Sequence, residues 1–304
     1  MTMANLINDN ETLKKYVPNT LKEVAGEKSL FDKIQFQLMQ AEQWLTETFV
    51  SYGTMSRIHT YSDSTPLLHF CRIITAAEAM LHAVPQLDLI LTPNGFGIVS
   101  NQNIAPASKK RIERLLLALE KIRDDALQTI QPLLIEDSHW VASDQYYFFA
   151  RTMFPTLDVV HDLGYHEHIW AKYQEIRNQL IIIEEKLARE YFSDSLMETL
   201  REYIIRNDFS DSPDSNAYLK LSNRIRAIEF SILRTGEFPI PSIIDAVNFI
   251  RTSNKELFQN WKQSDTARLF DNHGYKNKKQ VGGYFGATDK PCGEGVRTLI
   301  QNCC

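Results

Sequence analysis

Leu87-Asp-Leu-Ile-Leu-Thr-Pro-Asn-Gly-Phe-Gly-Ile-Val-Ser100 is the stretch on which the fold turns, because its surroundings read as helix. Leu87, Leu89 and Leu91 alternate with Asp88, Ile90 and Thr92. Pro93-Asn94-Gly95 then turns the chain and Phe96 to Ser100 returns, the pattern of a short β-hairpin. Asn94 and Gly95 tolerate the positive φ angles such a turn needs. The expected fold is therefore mainly α, a helical bundle from which one two-stranded finger projects. An isolated hairpin is marginal in water, so this one is expected to lean on neighbouring helices or on another subunit. Leu89, Leu91, Pro93, Asn94, Gly95, Phe96 and Ile98 are accordingly the candidate interaction residues of the finger.

Working outward, Glu11 to Val17 reads as a short helix stopped by Pro18, with Asn8 placed to cap it. Ser29 can cap the next helix, whose Phe31, Ile34, Leu38, Ala41, Leu45 and Phe49 recur at helical spacing as far as Val50. Ser51 to Asp63 reads as a polar loop. Ser64-Thr-Pro66 opens a second helix, and Pro85 closes it before the hairpin. A long helix is expected over residues 107–133; Lys109, Lys110 and Arg111 crowd its start as a solvated face or as a contact for an acidic partner. The aromatics Trp140, Tyr146, Tyr147, Phe148, Phe149 and Phe154 read as a core or an inter-domain seam. Further helices are expected at 166–189, 195–205, 217–233 and 242–261.

The two halves look like an old duplication, each with a long helix, a link, a helix ending near a proline-containing connector, and another amphipathic helix. The connector is the hairpin in the first half and Thr235-Gly-Glu-Phe-Pro-Ile-Pro241 in the second. The domains expected are a helical one over residues 1–165 containing the hairpin at 87–100, a second helical one over 166–268, and a glycine-rich C-terminal arm over 269–304. Six of the chain's 12 glycines follow His273, too dense for a packed element. Tyr275, Tyr284 and Phe285 stand among those glycines and several lysines as aromatic anchors for another subunit.

The 304 residues are 43% hydrophobic and 23% charged, an ordinary globular composition with a formal net charge of -5. That balance argues against a binder that works by neutralising phosphates. No apolar run approaches a membrane span and the N-terminus has no secretory pattern, so the chain is expected to be soluble and made in the cytoplasm. Cys71 falls in an apolar helical pattern, while Cys292, Cys303 and Cys304 lie outside metal-knuckle spacing.

The chain carries no Walker loop, dinucleotide fingerprint, Gly-x-Ser-x-Gly elbow or His-Glu-x-x-His helix. Catalysis, a metal and a cofactor are not expected. One constellation stands against that reading. Val159-Val-His161-Asp162-Leu-Gly-Tyr-His166-Glu-His168 resembles the metal-binding core of the HD phosphohydrolases, with His139 and Asp208 or Asp211 as distant candidates for the remaining ligands. The structural alternative is a histidine at a helix C-terminus followed by Gly164 as a left-handed exit. His166 and His168, two apart on a helix, would face different ways. Asp124-Asp125 and Glu184-Glu185 read as solvent-facing helix charges.

The block Leu87 to Ser108, with Arg111, Arg114 and Leu115 after it and the Glu42-Gln-Trp44-Leu45 helix before it, resembles an uncharacterised family encoded by phages and prophages of Bacteroidota. The likeness covers roughly the first 135 residues. More distantly, two helices, a hairpin reading Thr-Pro-x-Gly and a return helix resemble the head-to-tail connector, or adaptor, proteins of tailed phages. That resemblance implies a virion structural protein of the neck, a homo-oligomeric ring commonly of twelve copies. It would sit between the portal protein and the tail or a second neck ring and pass DNA through its lumen without reading sequence. Repeated negative charge around such a lumen would keep DNA from sticking. The second half departs from the connector pattern, which is about half this length.

Overall fold

The computed structural model describes residues 6–17, 28–87, 89–92, 95–98, 108–206, 213–253, 258 and 261, the strand residues by their backbone alone. The chain is mainly helical and divides into two compact units, Met1–Phe148 with Thr156–Lys172, and Phe149–Pro155 with Tyr173–Cys304. The boundary drawn from sequence at 165/166 thus falls inside the first unit.

In the first unit, α1 (Asn10–Tyr16) is capped by Asp9, one residue beyond the expected Asn8; its carboxylate accepts the Thr12 N–H at 2.7 Å. Ser29 caps α2 (Leu30–Leu45), and Asp32 closes the capping box. The helix then widens into a π-helical turn, Thr46–Val50, which ends at Ser51 with φ 75° and ψ 153°. What reads in sequence as a polar loop contains α3 (Tyr52–Ile58), which buries Met55 and Ile58. α4 (Pro66–Ala83) packs against α2 and against α5 (Lys109–Ile135). Ala76, Ala79 and Ala83 on α4 meet Ile34, Leu38 and Ala41 of α2 in one core cluster, and short side chains along such a line let helix axes approach.

Between α4 and α5 run β1 (Leu89–Thr92) and β2 (Gly95–Ile98), antiparallel, with Leu89 opposite Ile98, Ile90 opposite Gly97, Leu91 opposite Phe96 and Thr92 opposite Gly95. Three short helices follow, α6 (Ser138–Val141), α7 (Asp144–Ala150) and α8 (Asp158–Asp162). Gly164, at φ 91°, supplies the left-handed exit that a side chain resists.

The second unit takes up α9 (Ile169–Leu187) from Tyr173 onward. A π-helical turn, Ala188–Phe192, ends at Ser193 with φ 59° and ψ 147°. α10 (Asp194–Arg206), α11 (Pro213–Thr235) and α12 (Ile240–Thr252) complete it around Leu180, Leu187, Leu200, Ile225 and Val247.

Each unit contains the same local construction. In the first, Glu42 accepts the Leu6 N–H at 2.7 Å and pairs with His59 at 3.0 Å; in the second, Glu184 accepts the Met153 N–H at 2.6 Å and pairs with Arg201 at 3.0 Å. The Trp140 indole N–H donates to the Phe49 carbonyl at 2.6 Å, and that of Trp261 to the Tyr191 carbonyl at 3.1 Å. Ser51 N–H closes on the Thr46 carbonyl and Ser193 N–H on that of Ala188, both at 2.8 Å. The spacing of 142 residues between Glu42 and Glu184 also relates Ile34 to Ile176, Leu38 to Leu180, Leu45 to Leu187, Ser51 to Ser193, Met55 to Met197 and His59 to Arg201.

Candidate interaction surface

Two features of the first unit bear on interaction, the register of its ribbon and an open apolar groove. Along a β-strand, successive residues fall on opposite faces. The observed register therefore puts Leu89, Leu91, Phe96 and Ile98 on one face, and Ile90, Thr92, Gly95 and Gly97 on the other. Four of the residues singled out in the sequence thus share a face, and Gly95 lies across from Thr92. Pro93 and Asn94 fall outside the described residues, as do Tyr275, Tyr284 and Phe285.

The second feature is a groove of about 460 Å³ along α2 and α3. Phe36, Met39 and Tyr52 rise on its rim at 65%, 49% and 58% exposure, while Met55 and the nearly covered Glu42 form its floor beside His59. These large apolar side chains belong to helices whose opposite face is committed to the core, so the groove is surplus to folding. Its lining includes no Lys or Arg. At one end Glu47 accepts hydrogen bonds from the Gln43 amide and the Tyr52 hydroxyl, and these hold its carboxyl below the usual range. The sequence reading missed the groove because it took residues 51–63 for a loop, which left Phe36 and Met39 with nothing to border.

The histidine constellation has a different geometry from the one expected. His166 and His168 do not lie on a helix; they sit in the connector before α9, and His168 takes a positive φ of 54°. Together with His161 they border a cavity of about 270 Å³ under α5. His168 Nδ1 is 2.7 Å from Glu120, and the His161 and His166 rings stack at 5.9 Å. His139 lies on α6, against Asp137 and Arg57. Among the described residues no three His, Cys, Asp or Glu side chains are placed to hold a metal ion. Asp208 and Asp211 lie outside them.

The two carboxylate pairs are corrected as well. Asp125 and Glu185 face solvent, beside Lys121 and Arg151, but Asp124 and Glu184 are each only 2% exposed. Asp124 accepts bonds from Arg123 and from the Trp170 N–H; burial raises its pKa and Arg123 works against that rise. Burial likewise lifts Glu184 to about 7, against the Met153 N–H and Arg201. Lys109, Lys110 and Arg111 are exposed at the start of α5. Cys71 is buried, its thiol pushed up to about 12 by desolvation first and Glu42 next.

These features define a mainly helical protein with surplus apolar surface on its first unit. A family model described as "Family of unknown function (DUF6712)" matches residues 19–149, the segment that holds the groove and the ribbon. No curated protein and no solved structure matches the chain. No helix among the described residues is long and apolar enough to cross a membrane.

Proposed function

We propose that the chain is a structural protein of the phage neck, an adaptor whose copies join in a ring beneath the portal and lead DNA toward the tail. Its work is then done by shape and contact, without catalysis. The observation that carries the reading is the ribbon between α4 and α5, with Leu89, Leu91, Phe96 and Ile98 on one face of a two-stranded sheet. A subunit in a closed ring presents two different faces, each fed into its neighbour. A ribbon whose register gathers four apolar residues on one face, and an open apolar groove on the same unit, suit such head-to-tail contact.

The second unit is, on this reading, a diverged copy of the first. The paired Glu42/Glu184 bridges, the two tryptophan bonds and the positive-φ serines after matching π turns support duplication more strongly than the few identities between the halves. It adds a further block of wall to each copy, which accounts for a chain about twice the length of the connector pattern.

Electron microscopy of the purified full chain, alone and mixed with portal particles, tests the assignment. Closed rings that seat on the portal are expected, and replacing Gly95 with valine is expected to abolish seating while the helical circular dichroism persists. A monomer that is absent from virions would overturn it.

A further inference from the structure

We propose that Glu229 on α11 is held in the core of the second unit as a neutral acid, and that loss of its proton opens this unit along α11.

Glu229 is 0% exposed and neither of its carboxyl oxygens meets a hydrogen-bond donor; Glu184, 2% exposed, spends its two oxygens on the Met153 N–H and Arg201. An ionised carboxylate with no donor in a dry interior is far costlier than a neutral acid. Two acids close enough to feel one another cannot both ionise cheaply. The charged groups acting on Glu229 are Glu184 from α9, Arg201 from α10 and Arg226 from α11, with Glu184 also felt by Tyr173 on its own helix. Arg226 and Arg201 pull Glu229 toward ionisation, but burial and then the Glu184 charge outweigh them and push it well above its usual range. Ser222 Oγ and Arg226 Nε, two turns and one turn before Glu229 on α11, are also buried without hydrogen-bond partners. This helix therefore carries a seam of unsatisfied polar atoms through the core, the kind of place where water enters first.

Opening the seam exposes Glu229 to solvent, where an ordinary glutamic acid is ionised at neutral pH. Opening therefore releases a proton, and one released proton shifts the equilibrium about tenfold per pH unit. The sign is that of a raised acid: closure is favoured at low pH and fades as pH rises toward the native pKa.

Hydrogen exchange of the full chain between pH 7 and pH 9, corrected for intrinsic rates, reads this directly. Protection of 213–235 is expected to fall as pH rises, by up to tenfold per pH unit, while that of α2 and α4 holds, and Glu229→Gln is expected to remove the dependence. Unchanged protection in the wild-type protein, or an unchanged slope in Glu229→Gln, would overturn the proposal. Difference infrared spectra of the wild-type protein provide a second measurement that needs no variant. The carbonyl stretch of a protonated buried acid must be present at pH 7, and its absence sinks the idea.

Discussion

Arg123 on α5 places its guanidinium 2.8 Å from the Glu78 carboxylate on α4, with both side chains about 10% exposed or less. The same guanidinium holds Asp124 at 2.8 Å and Glu120 at 3.4 Å, and lies over the Trp44 ring. One cation thus holds three carboxylates at the α4–α5 contact. Arg123→Met leaves those charges facing one another in a dry setting, and removing one partner of a buried pair destabilises by roughly 3–5 kcal/mol. Adding Glu78→Gln should recover part of the loss, a coupling that thermal denaturation of the two single variants and the double variant resolves.

Ser51 and Ser193 occupy a backbone region, φ 75° with ψ 153° and φ 59° with ψ 147°, that is nearly reserved for glycine. Such a residue stores about 1–3 kcal/mol of strain. Ser51 offsets some of it by accepting the Thr54 N–H at 3.3 Å as the cap of α3. Glycine relieves the strain and gives up only a few tenths as a cap, so Ser51→Gly should stabilise the protein by about 1 kcal/mol. Ser51→Ala keeps the strain and loses the cap, and should destabilise by a similar amount. Urea denaturation midpoints moving in opposite directions for the two variants check this.

The two indole bonds allow a direct comparison of the units. Trp140 is fully buried and its N–H donates to the Phe49 carbonyl, so Trp140→Phe should cost about 0.5–1.5 kcal/mol through the lost buried hydrogen bond. Trp261 is half-buried, and water can reach the Tyr191 carbonyl once the indole is gone. Trp261→Phe should cost less, under about 1 kcal/mol. Hydrogen exchange of peptides covering the two π turns separates the effects unit by unit.

Most of the helical frame was legible in the spacing of apolar residues. α2, α4, α5 and α9 begin and end within a few residues of where periodicity, Ser29 and Pro66 put them. α3 was not legible, because Met55 and Ile58 are the two large apolar residues it buries and a seven-residue helix has too few turns to show a stripe. The buried acids were passed over or misread for a different reason. Glu42 lies four residues after Leu38 and three before Leu45, and Glu184 stands in the same way between Leu180 and Leu187. Both are therefore on the apolar stripe itself. A charged residue at such a position is a sign of a buried partner, and reading Glu184 only beside its exposed neighbour Glu185 hid it.

Cys71 gives a prediction free of any assumption about function. Its thiol is 0% exposed and pushed up to about 12, so at pH 8 almost none is thiolate and none is accessible. Iodoacetamide should leave Cys71 unmodified in the native protein and alkylate it fully in denaturant, as mass spectrometry of the peptide over α4 would show. Labelling of the native protein at a rate near that of a free thiol would mean that the α2–α4 core opens readily.

The groove is tested by changing its rim without touching the core. Met39 and Phe36 are exposed at 49% and 65%, so Met39→Glu and Phe36→Ser remove no buried contact and should alter stability by less than about 0.5 kcal/mol. If the groove seats a neighbouring copy, a glutamate there must be desolvated in the contact with no Lys or Arg in the lining to meet it. A buried interface charge of this kind costs several kcal/mol, enough to weaken association a hundredfold or more. Analytical ultracentrifugation should therefore find Met39→Glu folded but shifted to monomer at concentrations where the wild-type chain is assembled. An unchanged sedimentation profile would move the contact away from α2 and leave the ribbon to carry it.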